Sequence, residues 1–225
     1  MTEATPPAPP APGTSPERHG TLLLLVRHGE TPTTGTVLPG RAPGLHLSDR
    51  GRAQAERVAD RIEGLPVDAL YSSPLERARE TAEPTAARTG LDVNHDDGLL
   101  ECDFGDWTGA AIAELAVLPE WQTVQHSPSE FRFPNGESFP EMQSRIVGAL
   151  EALCAAHAGG VLVCFSHADP IKAAVAHALG TPLDLFQRIL ISPGSVSAIS
   201  FVEGQDPAVL MVNSTTEPLS GLRAP

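Results

Sequence analysis

Five residues of this chain, Arg27, His28, Arg77, Glu101 and His167, are of types that together can move a phosphoryl group. A neutral imidazole attacks phosphorus without a separate base, because an unperturbed pKa of about 6.5 leaves much of it unprotonated at neutral pH. Two arginines and a second histidine match the charge that gathers on the equatorial oxygens of the transferring group, and a carboxyl group protonates the departing alkoxide. Competing hydrolytic chemistries lack their residues. No cysteine is followed six positions later by arginine, there is no Asp-x-Asp pair, and neither Gly-x-Ser-x-Gly nor His-Glu-x-x-His occurs.

The elements that must carry these residues are legible around them. Residues 22–26 are all apolar, as suits a strand buried on both faces, and the run stops at Arg27 and His28. A second apolar strand, 161–165, likewise stops at Ser166 and His167. Ligands of open α/β sheets bind beyond the carboxyl ends of the strands, where both histidines then lie, and Gly29 lets the backbone come close to such a ligand. A strand over 67–71 leads to Ser73 as N-cap, Pro74 at the first position and Glu76 closing a capping box, which puts Arg77 in a helix's first turn.

Further helices are predicted over 49–63, capped by Ser48, and from a second capping box at Ser138 and Glu141, with Met142, Ile146, Ala149, Leu150 and Leu153 on one face. Pro84 is expected to kink the helix that holds Arg77, and Gly90 to follow its end. A short strand over 91–94 precedes a loop, 99–109, that mixes acids, aromatics and glycines and includes Glu101. One or two short helices occupy 110–126, a helix capped by Asp169 and Pro170 runs to about 179, and strands near 196–202 and 208–212 form a hairpin.

A net charge of −13 over 225 residues gives no broad basic field, which argues against nucleic acid and against anionic membrane surfaces. Three cysteines without metal-ligand spacing suggest neither a disulfide framework nor a zinc site and suit a reducing cytoplasm. No run approaches the ~18 apolar residues of a membrane span, so the protein is expected to be soluble and cytoplasmic. Residues 1–20 hold six of the 22 prolines and little apolar bulk, and read as a disordered tail. The expected organisation is this tail, one domain over 21–213, and a flexible C-terminal tail over 214–225.

Arg27-His28-Gly29-Glu30-Thr31, Ser72-Ser73-Pro74-Leu75-x-Arg77 with Thr81, Glu101 before Phe104-Gly105-x-Trp107, and Ser166-His167 resemble, in that order, the histidine phosphatase superfamily of phosphoglycerate mutase-like proteins. The resemblance implies a three-layer α/β/α fold with a mostly parallel central sheet and a reaction through phosphohistidine, without metal or organic cofactor. It makes His28 the nucleophile, gives Arg27, Arg77 and His167 the phosphoryl group, and makes Glu101 the acid and then the base. Thr34 stands where such proteins commonly have asparagine, and is expected to donate a hydrogen bond to the phosphate in its place. Arg41, Trp107, Arg132 and the 131–138 passage are the candidates for touching the leaving group. Residues 107–131 contain no arginine or lysine to grip a second anionic group, which favours a phosphomonoesterase acting on a small phosphorylated metabolite. A phosphomutase on a sugar or glycerate phosphate and a catalytically weak binding module are the alternatives, and the oligomeric state stays open.

Overall fold

Strand β1 (Thr21–Arg27) occupies the inside of a six-stranded sheet in a computed structural model that describes residues 20–215. The expected tails therefore lie outside the described residues, except for Gly20, Ser214 and Thr215 at their inner ends. The remaining strands are β2 (Ala69–Ser72), β3 (Val93–His95), β4 (Val161–Ser166), β5 (Val196–Phe201) and β6 (Ala208–Ser214). Their order is β3-β2-β4-β1-β5-β6. The first four run parallel, β5 lies antiparallel to β1, and β5 and β6 make the predicted hairpin. The sheet is thus mostly parallel, as the resemblance implied.

Both faces of β1 are covered, which explains its lack of polar alternation. Leu23 and Leu25 pack with α5 (Phe139–Ala156) and α6 (Ala168–Ala178). Leu22, Leu24 and Val26 face the opposite layer, with α1 (Asp49–Ile62) and α2 (Glu76–Thr89). Each such side chain, fully withdrawn from water, contributes about 1.5–3 kcal/mol before entropy is counted. Two short helices, α3 (Ile112–Leu115) and α4 (Pro119–His126), belong to a long excursion between β3 and α5.

Helix ends follow their local signals in three cases and depart from them in two. Ser48 caps α1 by accepting from Gly51 N, Ser138 and Glu141 form a reciprocal capping box on α5, and Gly90 ends α2 at φ 70°. Helix α2, however, starts at Glu76 with Leu75 at the N-cap position, so Ser73 is no cap. The Glu76 carboxylate instead accepts from Gly44 N at 3.1 Å. Helix α6 has His167 at its N-cap position, so Asp169 and Pro170 sit inside its first turn and do not precede it. Pro84 lies within α2, which continues past it to Thr89.

Candidate active site

The register of the parallel strands assembles the site. Arg27 pairs with Ser166, and Ser72 pairs with Phe165, so β1, β4 and β2 end side by side, and the residues that follow them are His28, His167 and Ser73. The rings of His28 and His167 lie 5.1 Å apart between centroids. Both are buried, at 5 % and 0 % exposure. Burial, reinforced by Arg77 and then Arg27, holds both imidazoles well below the usual histidine range. They are therefore neutral at neutral pH, and the positive charge of the site comes from its arginines.

Hydrogen bonds orient the two rings differently. Nδ1 of His28 lies 2.7 Å from the Gly29 carbonyl, which can only accept, so the proton is on Nδ1 and Nε2 keeps its lone pair. Nε2 of His167 lies 2.8 Å from Ser73 Oγ. His167 Nδ1 is buried and has no partner among the described residues.

Arg77, in the first turn of α2, is fully buried, and donates one terminal nitrogen to the Gly40 carbonyl at 2.8 Å. Its Nε and other terminal nitrogen have no partner among the described residues. Arg27 donates to the Ile191 carbonyl at 2.6 Å and leaves Nε equally unmatched. Buried donors seldom stay unpaired, and three on two guanidiniums beside two histidines form a cradle for an oxyanion. Thr81, one turn beyond Arg77, accepts from Gly29 N at 3.0 Å and donates to the Arg77 carbonyl at 2.6 Å, tying the histidine turn to α2.

Glu101 is buried at 6 % exposure, and its Oε1 accepts from Cys102 N at 2.9 Å. Burial and then the nearby Asp169 push its carboxyl up to about 7, against the pull of the Cys102 N–H and both arginines. A carboxyl group titrating there can give and take a proton near neutral pH. Ser166 Oγ donates to the Leu99 carbonyl at 2.7 Å, fastening the start of the acid loop to the end of β4.

The other expected ligand contacts are engaged with the protein itself. A Cβ on Gly29 would fall 2.4 Å from the Gly51 carbonyl oxygen, so this glycine admits the backbone of α1 and not a ligand. Thr34 Oγ1 accepts from Thr31 N at 2.8 Å and lies 3.0 Å from Thr31 Oγ1, so its hydroxyl closes a turn. Trp107 is buried in an aromatic cluster with Trp121, Phe131 and Phe133, which commits its ring to the core. Arg41 donates from Nε to the Glu101 carbonyl at 2.9 Å and pairs with Glu137, at 2.8 Å but off the hydrogen-bond angle. It serves the loop that holds Glu101, and its other terminal nitrogen lies 4.0 Å from Asp103. Arg132, also a candidate, pairs at the surface with Glu141.

Ser73 and Thr81 are members of this assembly that sequence reasoning gave no role in the site. Among the described residues no group of three or more His, Cys, Asp or Glu side chains is placed to hold a metal ion, and no helix is long and apolar enough to cross a membrane.

Two buried histidines beside two buried arginines with unpaired nitrogens, at the carboxyl ends of parallel strands, make a site suited to phosphoryl transfer in an α/β fold. A sequence model of the histidine phosphatase superfamily (branch 1) matches residues 23–215, and the chain belongs to that superfamily as a phosphatase enzyme. It is 32% identical over 198 residues to phosphoserine phosphatase 1 of Hydrogenobacter thermophilus, covering 86% of this chain and 92% of that protein. It is 30% identical over 205 residues to a probable phosphoglycerate mutase GpmB of Salmonella choleraesuis, covering 90% and 95%. Its fold matches mycobacterial glucosyl-3-phosphoglycerate phosphatase with a TM-score of 0.78 at 26% identity, over 87% of this chain and 99% of that one.

Proposed function

We propose that the chain is a metal-independent phosphomonoesterase that passes the phosphoryl group of a small phosphorylated metabolite through His28 to water. The observation that carries this reading is the 2.7 Å contact of His28 Nδ1 with the Gly29 carbonyl, because it fixes the tautomer that leaves Nε2 nucleophilic. Nε2 attacks phosphorus, the ester P–O bond breaks, and the Glu101 proton goes to the departing oxygen. Glu101, now a carboxylate, takes a proton from water, the water oxygen attacks phosphorus, and the P–N bond breaks to release orthophosphate. Glu101 is then protonated for the next cycle. Arg27, Arg77 and the His167 Nδ1–H stabilise the equatorial oxygens in both transition states.

The domain that works this way spans 21–213. The three cysteines are free and buried, which suits the reducing cytoplasm in which we place it. Likeness to a protein named as a probable phosphoglycerate mutase favours transfer to a second hydroxyl as the other reading. The absence of arginine and lysine from 107–131 weighs against it.

The test is phosphate release, with chelator present, from an aryl phosphate and from a panel of sugar, amino-acid and glycerate phosphates, beside His28→Ala. Release by the wild type alone supports the reading, and release unchanged in the variant overturns it. Label passing between hydroxyls without release of phosphate makes the protein a mutase.

A further inference from the structure

Glu101 must present its carboxyl group to a leaving oxygen, yet it stands on a loop and not on a strand or helix. What fixes that loop is a set of charges around Glu137. The Glu137 carboxylate takes a two-pronged contact from Arg145, at 2.8 Å from Nε and 3.0 Å from a terminal nitrogen. It also accepts from Asp103 N at 3.0 Å and faces a terminal nitrogen of Arg41 at 2.8 Å. Both arginines then reach the same carbonyl, that of Glu101, from Arg41 Nε at 2.9 Å and from Arg145 at 3.3 Å. Arg145 further holds the carbonyls of Gly98 and Leu100, at 2.9 and 3.0 Å.

The backbones on either side are packed too closely for side chains. A Cβ on Gly105 would meet the Pro134 carbonyl oxygen at 2.0 Å, and one on Gly136 the Asp103 carbonyl oxygen at 2.3 Å. Glu137 N in turn donates to the Asp103 carbonyl at 2.9 Å. The arginines flanking the Glu137 carboxylate hold its pKa below the usual carboxylate range despite its burial, so it stays charged at working pH.

We propose that Glu137 is a positioning residue for the acid: through Arg41 and Arg145 it sets where the Glu101 carboxyl group stands relative to the leaving oxygen. This rests on Glu101 being the acid. The effect of Glu137 is then confined to the step that needs a proton. Esters of acidic phenols leave without one, whereas esters of weakly acidic phenols require it, so loss of positioning separates the two.

The experiment compares kcat/KM, which reports the first bond cleavage, for para-nitrophenyl phosphate and phenyl phosphate in the wild type, Glu101→Gln and Glu137→Gln. Glu101→Gln sets the reference, with a loss on phenyl phosphate at least about tenfold greater than on the nitrophenyl ester. Glu137→Gln is expected to show the same bias, at roughly a tenth to a half of that size on a logarithmic scale. Arg41→Gln, which removes one of the two arms, takes its place if Glu137→Gln does not fold. Equal losses on both esters, or none, overturn the inference while leaving Glu101 as the acid. No bias in Glu101→Gln itself overturns the assignment of the acid and the inference with it.

Discussion

The Ser73 hydroxyl and His167 Nε2 meet at 2.8 Å across the ends of β2 and β4. Leu75 N donates to the same hydroxyl at 3.4 Å, which leaves the hydroxyl's own proton free for the ring. With Ser73 donating, the His167 proton sits on Nδ1, the buried nitrogen without a partner among the described residues, where it can donate to a phosphoryl oxygen. Ser73→Ala is expected to lower kcat/KM by roughly 10- to 100-fold, the equivalent of about 1–3 kcal/mol for a buried polar group left unmatched. Nitrogen-15 NMR of the imidazoles checks the cause: His167 should hold its proton on Nδ1 in the wild type and shift toward Nε2 in the variant.

The pH profile carries the signature of Glu101. A carboxyl group raised to about 7 is protonated below that pH and charged above it, so kcat/KM for phenyl phosphate should fall as pH rises through 7. Glu101→Gln should lose this basic limb. The same group makes the folded chain keep a proton that the unfolded chain has already released, so its contribution to stability declines between the ordinary carboxylate range and 7. Chemical denaturation across that window should show the decline in the wild type and not in Glu101→Gln.

Arg77 is held at a cost to the fold. Its guanidinium is fully buried with two unmatched nitrogens, and burial lowers its pKa. Arg77→Met should keep or raise the melting temperature while cutting kcat/KM by at least about a thousandfold. Inorganic phosphate should raise the melting temperature of the wild type by mass action and leave that of the variant unmoved. A variant that melts far below the wild type contradicts this account.

Trp107 separates core from pocket. Its ring packs 5.4–5.5 Å from Phe131 and Phe133 between centroids. Trp107→Ala should destabilise by about 3–5 kcal/mol. Trp107→Phe should melt lower than the wild type while its KM for small phosphate esters stays the same, and a raised KM would return this ring to the leaving group.

Gly51 is predicted to be as intolerant as a catalytic residue, although it touches no substrate. A Cβ there would fall 2.0 Å from the Glu30 carbonyl oxygen, and one on Gly29 would strike Gly51 in turn. Gly51→Ala should push the histidine turn off α1, costing about 1–3 kcal/mol of stability and a measurable part of kcat. Paired denaturation and kinetic measurements check both.

The inner strands β1 and β4 were legible because they are apolar on both faces and stop at polar residues, as 161–165 stops at Ser166 and His167. The site was legible as a set of strand-end residues for the same reason. Ser73 was misread because Ser73-Pro74-Leu75-Glu76 satisfies every local rule for a capping box, whereas the partner that claims its hydroxyl lies 94 residues away. Arg41, Glu137 and Arg145 left no trace in local spacing, since the Glu101 carbonyl that they share stands 60 and 44 residues from the two arginines. Trp107 looked like a pocket wall because an aromatic among acids and glycines carries no sign of which way it points.

The excursion between β3 and α5 carries Glu101, while β1, β4 and α2 carry His28, His167 and the two arginines, and the two are joined by the Ser166 hydroxyl, the Arg145 side chain, the tether of Arg41, the pairing of residues 109–112 with 36–38 and a shared core. The carboxyl group and the histidine–arginine cluster are thus mounted on different pieces of the chain that share one core. A graft over residues 97–138 has to honour those latches and also refill the core places of Leu99, Phe104, Trp107, Phe131 and Phe133.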